Sequence, residues 1–229
     1  WKGNQNHFIK GFYAYSTMPA IVISVLSMLL LILSYSFKRL IPFRKIFAYF
    51  FLLLAIGNGL IVNGILKEFW GRPRPAQLVN YANTQTFEPC LIIDKNSYGK
   101  SFPCGHATMG FYFFALGLLF KRKWRYSIIT FSILFGSIIG IIRSSMGGHF
   151  LSDTLWAGII IWVIAKSLYL RLNLHKNIYY EELPAKSKKE LFLRKLIQYS
   201  LIPLFLILIT GLTLSTPRNK VHTLDLTYI

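Results

Sequence analysis

An all-α, polytopic transmembrane helix bundle is the fold class this sequence predicts, and three observations predict it. Hydrophobic residues make up 54% of the 229-residue chain and fall in long unbroken runs rather than amphipathic periods. Six runs approach the ~20 apolar residues a helix needs to cross the hydrocarbon: 19–37, 46–66, 105–120, 126–142, 150–170 and 199–216. The basic residues, 26 Lys+Arg against 8 Asp+Glu, collect in alternate connections between those runs. The apolar content excludes a disordered chain, and two cysteines exclude a disulfide scaffold. The length suits one domain, 1–229.

Run 19–37 follows an N-terminal strip that opens on Trp1 rather than Met, so an upstream segment outside this sequence is expected. Run 46–66 contains Gly57, Gly59 and Gly64, which permit close helix approach, and Asn58 and Asn63, which need partners between helices. The long connection 67–104 is rich in aromatics and breakers, too varied for a low-complexity linker. Runs 105–120 and 126–142 are short for full spans. After run 150–170 comes a basic segment, 171–197, whose part 179–197 reads equally as an interfacial amphipathic helix or as a plain linker. Run 199–216 is an additional C-terminal span.

Charge sets the orientation. Lys38, Arg39, Arg44 and Lys45 fill one connection, Lys121, Arg122, Lys123 and Arg125 the next alternate one, and seven more cations lie in 171–197. With six spans all three fall on one side, the cytoplasmic side under the positive-inside rule. Most of the basic excess is thereby accounted for by the bilayer, and no nucleic-acid partner is invoked. No oligomeric state follows from the sequence.

The opposite face carries the chemistry. Three polar stretches stand at the ends of runs there: 67–75 with Lys67, Arg72 and Arg74; 102–106 with Cys104, Gly105 and His106; and 143–153 with Arg143, His149 and Asp153. Guanidinium forks match phosphate oxygens and Lys adds a point charge. A turn opening a helix at Gly105 presents free N–H groups to an anion. His149 and Asp153 are spaced i,i+4, so a helix lets the carboxylate reach the imidazole and prepare its other nitrogen as a nucleophile. His106, from another helix, suits a general acid and then base. A metal site built from His106, His149 and Cys104 is the competing reading, disfavoured by the surrounding cations. An anion channel or transporter is another, disfavoured by the scarcity of polar residues within the runs.

These residues resemble the type-2 phosphatidic acid phosphatase superfamily, membrane lipid phosphatases whose pattern is Lys-x6-Arg-Pro, Pro-Ser-Gly-His and Ser-Arg-x5-His-x3-Asp. Lys67, Arg74 and Pro75 match the first part; Pro103, Gly105 and His106 the second; Arg143, His149 and Asp153 the third. The resemblance covers about residues 45–170. It implies a phosphohistidine on His149 oriented by Asp153, with His106 protonating the leaving alkoxide and then activating water. Lys67, Arg74, Arg143 and the Gly105 amide would hold the phosphate, without a metal or other cofactor. Two departures stand out: Cys104 replaces Ser, and Ile142 replaces the Ser before Arg143. The family usually has three spans before its first motif, and two precede Lys67 here, consistent with a missing N-terminal span. Trp-Gly-Arg-Pro-Arg-Pro, Ser-Phe-Pro-Cys-Gly-His and Gly-Gly-His-Phe-Leu-Ser-Asp are most similar to bacterial lipid A phosphatases of the 4′ type. The implied partners are a membrane lipid phosphate and the bilayer of an inner membrane, with the site on the periplasmic face. Undecaprenyl pyrophosphate, phosphatidylglycerol phosphate and transfer to a lipid alcohol remain alternatives within the class. Both a Cys90–Cys104 disulfide and a free Cys104 stay open at this point.

Overall fold

In hydrocarbon every backbone N–H and C=O must be satisfied within the protein, which leaves helices as the economical solution. The computed structural model describes residues 7–81, 84–94 and 97–176, and among them helices alternate with turns and two isolated bridges, with no strand. The expected span 199–216 and nearly all of the basic segment 171–197 lie outside the described residues.

In chain order, α1 is His7–Tyr15 and α2 is Met18–Leu33. Next, α3, Arg44–Leu52, runs into a π-helical stretch Leu53–Leu66 and a last α turn, α4, Lys67–Phe69. Two short helices follow the long connection, α5, Gly105–Phe111, and α6, Phe114–Leu119. The described part closes with α7, Arg122–Ser145, and α8, Leu151–Arg171. Four helical stretches are long and apolar enough to cross a membrane: Gly11–Leu33, Lys38–Phe69, Trp124–Ser145 and Leu151–Arg171. The stretch Gly105–Leu119 is apolar but shorter. At ~1.5 Å per residue it falls short of the hydrocarbon thickness. Of the six expected spans, the structure thus supports four, turns a fifth into a broken half-length helix, and leaves the last undescribed.

The first span also begins earlier than the hydropathy suggested. Residues expected to form a strip outside the bundle wind into α1, and the Ser16 N–H donates to the Phe12 carbonyl at 2.8 Å, carrying helical turns toward Pro19. Pro19 sits in the first turn of α2, where its missing N–H costs nothing. This brings an aromatic segment over the end of the bundle that holds the functional residues.

Helix α8 lies at the centre. Ala157, Ile160, Ile161, Ile164, Ala165 and Leu168 are all buried. Around it, α2 exposes Val22, Val25, Leu29 and Ile32, and α7 exposes Ile133, Leu134, Ile138 and Ile141. Those faces suit acyl chains. Two of the buried tyrosines bond their hydroxyls across helices: Tyr49 donates to the Ala165 carbonyl at 3.1 Å and Tyr112 to the Phe50 carbonyl at 2.8 Å.

Close packing was expected at three glycines of the 46–66 run. Only Gly57 faces a neighbouring helix, where an added Cβ would stand 3.2 Å from Ile161 Cδ1; at Gly59 and Gly64 it would meet only the chain's own turns. A close approach of two backbones occurs between α5 and α7 instead. A Cβ on Gly110 would come within 2.5 Å of the Gly136 Cα, closer than real side chains approach.

The long connection is packed rather than loose. Trp70 stacks on Phe102 with centroids 4.3 Å apart, and its indole N–H donates to the Cys90 carbonyl at 2.8 Å. The Asp94 N–H returns to the Trp70 carbonyl at 3.1 Å. The result is a folded cap from which Arg72 points inward.

Candidate active site

The site is assembled from four helix ends and the cap. Asp153 opens α8, and the first-turn position explains its fixed carboxylate: Oδ2 accepts the Phe150 N–H at 2.9 Å and the Ser101 hydroxyl at 2.6 Å. Its Oδ1 forms an ion pair with the Arg72 guanidinium. Arg72 also donates to the Glu88 carbonyl and to Ser152 Oγ, each at 2.9 Å, with its guanidinium 4.2 Å from the Phe150 ring centroid. Arg72 is 2% exposed and Asp153 0%. A buried carboxylate and guanidinium are stable together because each neutralises the other and further hydrogen bonds serve both groups.

His149 sits beside this pair, 1% exposed. Its Nδ1 is 2.6 Å from the Ser101 carbonyl oxygen and 3.7 Å from Asp153 Oδ2. A carbonyl can only accept, so Nδ1 carries the proton and Nε2 holds the lone pair in the neutral ring. The i,i+4 spacing does bring the carboxylate close, yet the direct partner is Ser101. Ser101 is itself held on both sides, its N–H donating to the Arg72 carbonyl at 3.0 Å and its hydroxyl to Asp153. Asp153 therefore reaches His149 in two ways, through Ser101 and by its charge at 3.7 Å.

Cys104 completes this group. It is fully buried, and its N–H donates to the Asp153 carbonyl at 3.2 Å. Cys90 and Cys104 are both free thiols. Burial pushes the Cys104 thiol up, but the charge of His149, a hydrogen bond with it, and Arg143 outweigh burial and bring it below the ordinary thiol value. Reciprocally, burial pulls His149 down while Cys104 and Asp153 outweigh burial and raise it. The sequence reading grouped Arg72 and Cys104 with the phosphate-binding residues. In the structure both pack among the groups around His149: Arg72 Nε and Nη1 donate to Glu88, Ser152 and Asp153, and the Cys104 amide donates to the Asp153 carbonyl.

The cations form a second group. Lys67 Nζ donates to Asn63 Oδ1 at 3.0 Å. Both lie against Gly105, where an added Cβ would come within 2.9 Å of Asn63 Oδ1 and 3.0 Å of Lys67 Nζ, so a side chain there would push on the Lys67–Asn63 pair. Gly148 does the same for Arg143: a Cβ there would stand 2.6 Å from its Nη2. Arg143 Nε is buried with no hydrogen-bond partner among the described residues, a donor directed at no protein acceptor. Arg74 enters from the cap, its N–H fixed by Gln77 Oε1 at 2.8 Å.

His106 stands in the second turn position of α5, half-buried. The charges that act on it are those of Arg143, Lys67, His149 and Arg74, which places residues from α3–α4, the cap, α7 and the α7–α8 turn around one point. Tyr13 of α1 packs on its ring, with centroids 4.6 Å apart.

Sequence reasoning missed Ser101, Asn63 and Tyr13. Ser101 acts through its main-chain carbonyl, which no residue type announces. Asn63 was read as a bond between helices, a role the structure gives to Asn58, which accepts the Thr108 hydroxyl at 2.6 Å. The clue to Asn63 was its position one helical turn before Lys67. Among the described residues no group of three or more His, Cys, Asp and Glu side chains is arranged to hold a metal ion.

Chemically, the arrangement offers a buried imidazole, a second imidazole, and three cations, Lys67, Arg74 and Arg143, that have no ion-pair partner among the described residues. The chain is 38% identical over 141 residues to the lipid A 4′-phosphatase of Francisella tularensis subsp. novicida, covering 58% of this chain and 62% of that protein. It is 36% identical over 101 residues to the lipid A 4′-phosphatase of Rhizobium etli, covering 44% and 39%. It is 35% identical over 109 residues to the lipid A 1-phosphatase of Rhizobium johnstonii, covering 47% and 40%. The match thus spans 62% of the Francisella protein and smaller shares of the others. No solved structure matches the chain. The PAP2 superfamily model matches residues 48–176, which takes in Lys67, Arg74, His106, Arg143, His149 and Asp153, and the chain belongs to that superfamily.

Proposed function

We propose that this protein is a lipid phosphate monoesterase that removes the 4′ phosphate of lipid A through a phosphohistidine on His149. It would act in a bacterial inner membrane, with the site on the periplasmic face opposite the basic connections. The observation that carries the reading is the bond from His149 Nδ1 to the Ser101 carbonyl at 2.6 Å, which makes Nε2 the nitrogen that holds the lone pair in the neutral ring.

In the first half-reaction, Lys67, Arg74 and Arg143 hold the phosphate oxygens and stabilise the charge that builds on them. Nε2 forms a bond to phosphorus as the bond from phosphorus to the sugar oxygen breaks, and His106 gives its proton to that oxygen, which leaves as an alcohol. In the second, water attacks phosphorus, its proton passes to His106, and the nitrogen–phosphorus bond breaks to release phosphate and neutral His149. Asp153, Arg72 and Ser101 keep the ring aimed throughout.

The substrate assignment rests on the relatives named as lipid A phosphatases, which favour lipid A over undecaprenyl pyrophosphate or phosphatidylglycerol phosphate. Removal of the 1 phosphate is the second reading, supported by the similarity to a lipid A 1-phosphatase. The test is incubation of the detergent-solubilised chain with bis-phosphorylated lipid A, followed by mass spectrometry of the product. Loss of the 4′ phosphate is expected, loss of the 1 phosphate selects the second reading, and intact lipid A rejects both. His149→Ala should lower turnover by about 10⁴-fold or more. Acid-labile phosphate trapped on the native chain and missing from His149→Ala identifies the intermediate, and a well-inserted variant at native rate refutes it.

A further inference from the structure

Tyr13 has no part in the family pattern. It lies in α1, outside the family-matched residues 48–176, in a segment the sequence reading left outside the bundle. Yet its ring makes two contacts in the site. It packs against the His106 imidazole with centroids 4.6 Å apart and planes inclined by 35°, and the Arg143 guanidinium carbon stands 4.7 Å from its centroid.

A general acid must keep its nitrogen within ~2.6–3.2 Å of the leaving oxygen, and an imidazole turns freely about two side-chain torsions unless something stops it. For His149 the Ser101 carbonyl does so. The same device would suit His106 poorly, because the proton that a fixed acceptor holds is harder to give away and take back. Among the described residues the His106 ring has no hydrogen-bond partner, and the close, tilted ring contact with Tyr13 limits its rotation while leaving both nitrogens to the reaction. Arg143, on the same tyrosine ring, ties that orientation to the group that grips the phosphate.

We propose that Tyr13 is a positioning residue for the leaving-group step, its ring holding the His106 imidazole in line with the phosphate clamp through Arg143. This rests on the reading of His106 as general acid. The step it serves is the one in which the phosphorus–oxygen bond to the substrate breaks and the His106 proton goes to the departing oxygen. An alcohol or sugar oxygen needs that proton because its alkoxide is a poor leaving group. A nitrophenolate does not.

The difference gives the experiment. The full chain is purified in detergent and kcat/KM is measured with p-nitrophenyl phosphate and with an unactivated alkyl phosphomonoester, a short-chain phosphatidic acid, because kcat/KM reports the steps through leaving-group departure and not the hydrolysis of the phosphohistidine that both substrates share. For Tyr13→Ala the loss on the alkyl substrate should exceed the loss on the nitrophenyl substrate by about tenfold or more. Tyr13→Leu, which keeps the bulk without the aromatic face, should show the same selective loss and carries the comparison if the alanine variant fails to insert. Tyr13→Phe keeps the ring and should restore the alkyl rate to within about threefold. Equal losses on the two substrates, expected of a structural role or of a grip on phosphate alone, would overturn the proposal, as would no loss on either. His106→Ala separates the two levels of the argument: it should lose selectively on the alkyl substrate. If it loses equally on both, the general-acid reading fails and this inference falls with it; if it is selective and the Tyr13 variants are not, only the inference fails.

Discussion

The two histidines are held in opposite ways. His149 is 1% exposed and locked by a hydrogen bond to a main-chain carbonyl, inside a buried network of Arg72, Asp153, Ser101 and Cys104. His106 is half-buried, stacked on one tyrosine, with cations around it. The contrast follows from what each is proposed to do. A nucleophile needs one tautomer and one direction for the whole cycle, so rigidity helps it. A proton carrier must give a proton and then take one, so it needs orientation without a permanent partner.

The sharpest way to break the comparison is to remove the keystone of the rigid side. Arg72→Met leaves the Asp153 carboxylate buried and unpaired, which costs about 3–5 kcal/mol of stability. Thermal unfolding in detergent should show the loss, and turnover should fall with it. Replacing the pair as Arg72→Met with Asp153→Leu should recover much of the stability without the activity. If the double variant recovers both, the network is scaffolding alone.

Arg143→Lys tests the cationic side. A point charge cannot reproduce the guanidinium fork, and a rate loss of about 10²-fold is expected with the fold intact. A near-native rate would make Arg143 a structural residue.

Cys104→Ser probes the link between the nucleophile and its supports with a smaller effect. Cys104 and Asp153 together hold His149 above its ordinary value by stabilising the imidazolium. Only the neutral ring attacks, so activity falls as pH drops through the His149 value. Replacing the thiol by a hydroxyl removes the Cys104 share of that stabilisation, and the acid limb of the kcat/KM profile should move to lower pH. An unmoved or raised limb would show that Cys104 does not act on His149.

The smallest expected effect is in the cap. Burial and the neighbouring Asp94 carboxylate push Glu88 up from its ordinary 4.5 to about 7. The folded chain holds this proton more tightly than the unfolded one, so the associated stability is full below about pH 4.5 and lost as pH rises through about 7. Glu88→Gln mimics the protonated form and should flatten the fall in Tm between those limits. A Tm profile identical to the native one would take Glu88 out of the cap's energetics.

Apolar runs and charge placement made four of the spans legible, because a bilayer demands length and hydrophobicity whatever the neighbouring helices are. The residues of the three polar stretches were legible for a similar reason: phosphate chemistry needs cations and imidazoles, and those side chains have few other uses at the end of an apolar helix. Less legible were α1 and the break between α5 and α6, where aromatic content and length lie below what a hydropathy run shows.

The sequence by itself determined the helical class, the family, and which histidines and cations to consider. Only the tertiary structure decided their partners. It assigned Arg72 to Asp153 rather than to the free cations, put the Ser101 carbonyl on His149, set Asn63 on Lys67 and laid Tyr13 over His106. The physical reason is that a charge or an imidazole states what it needs, while the donor, acceptor or ring face that satisfies it can come from any residue the fold brings within about 3–5 Å.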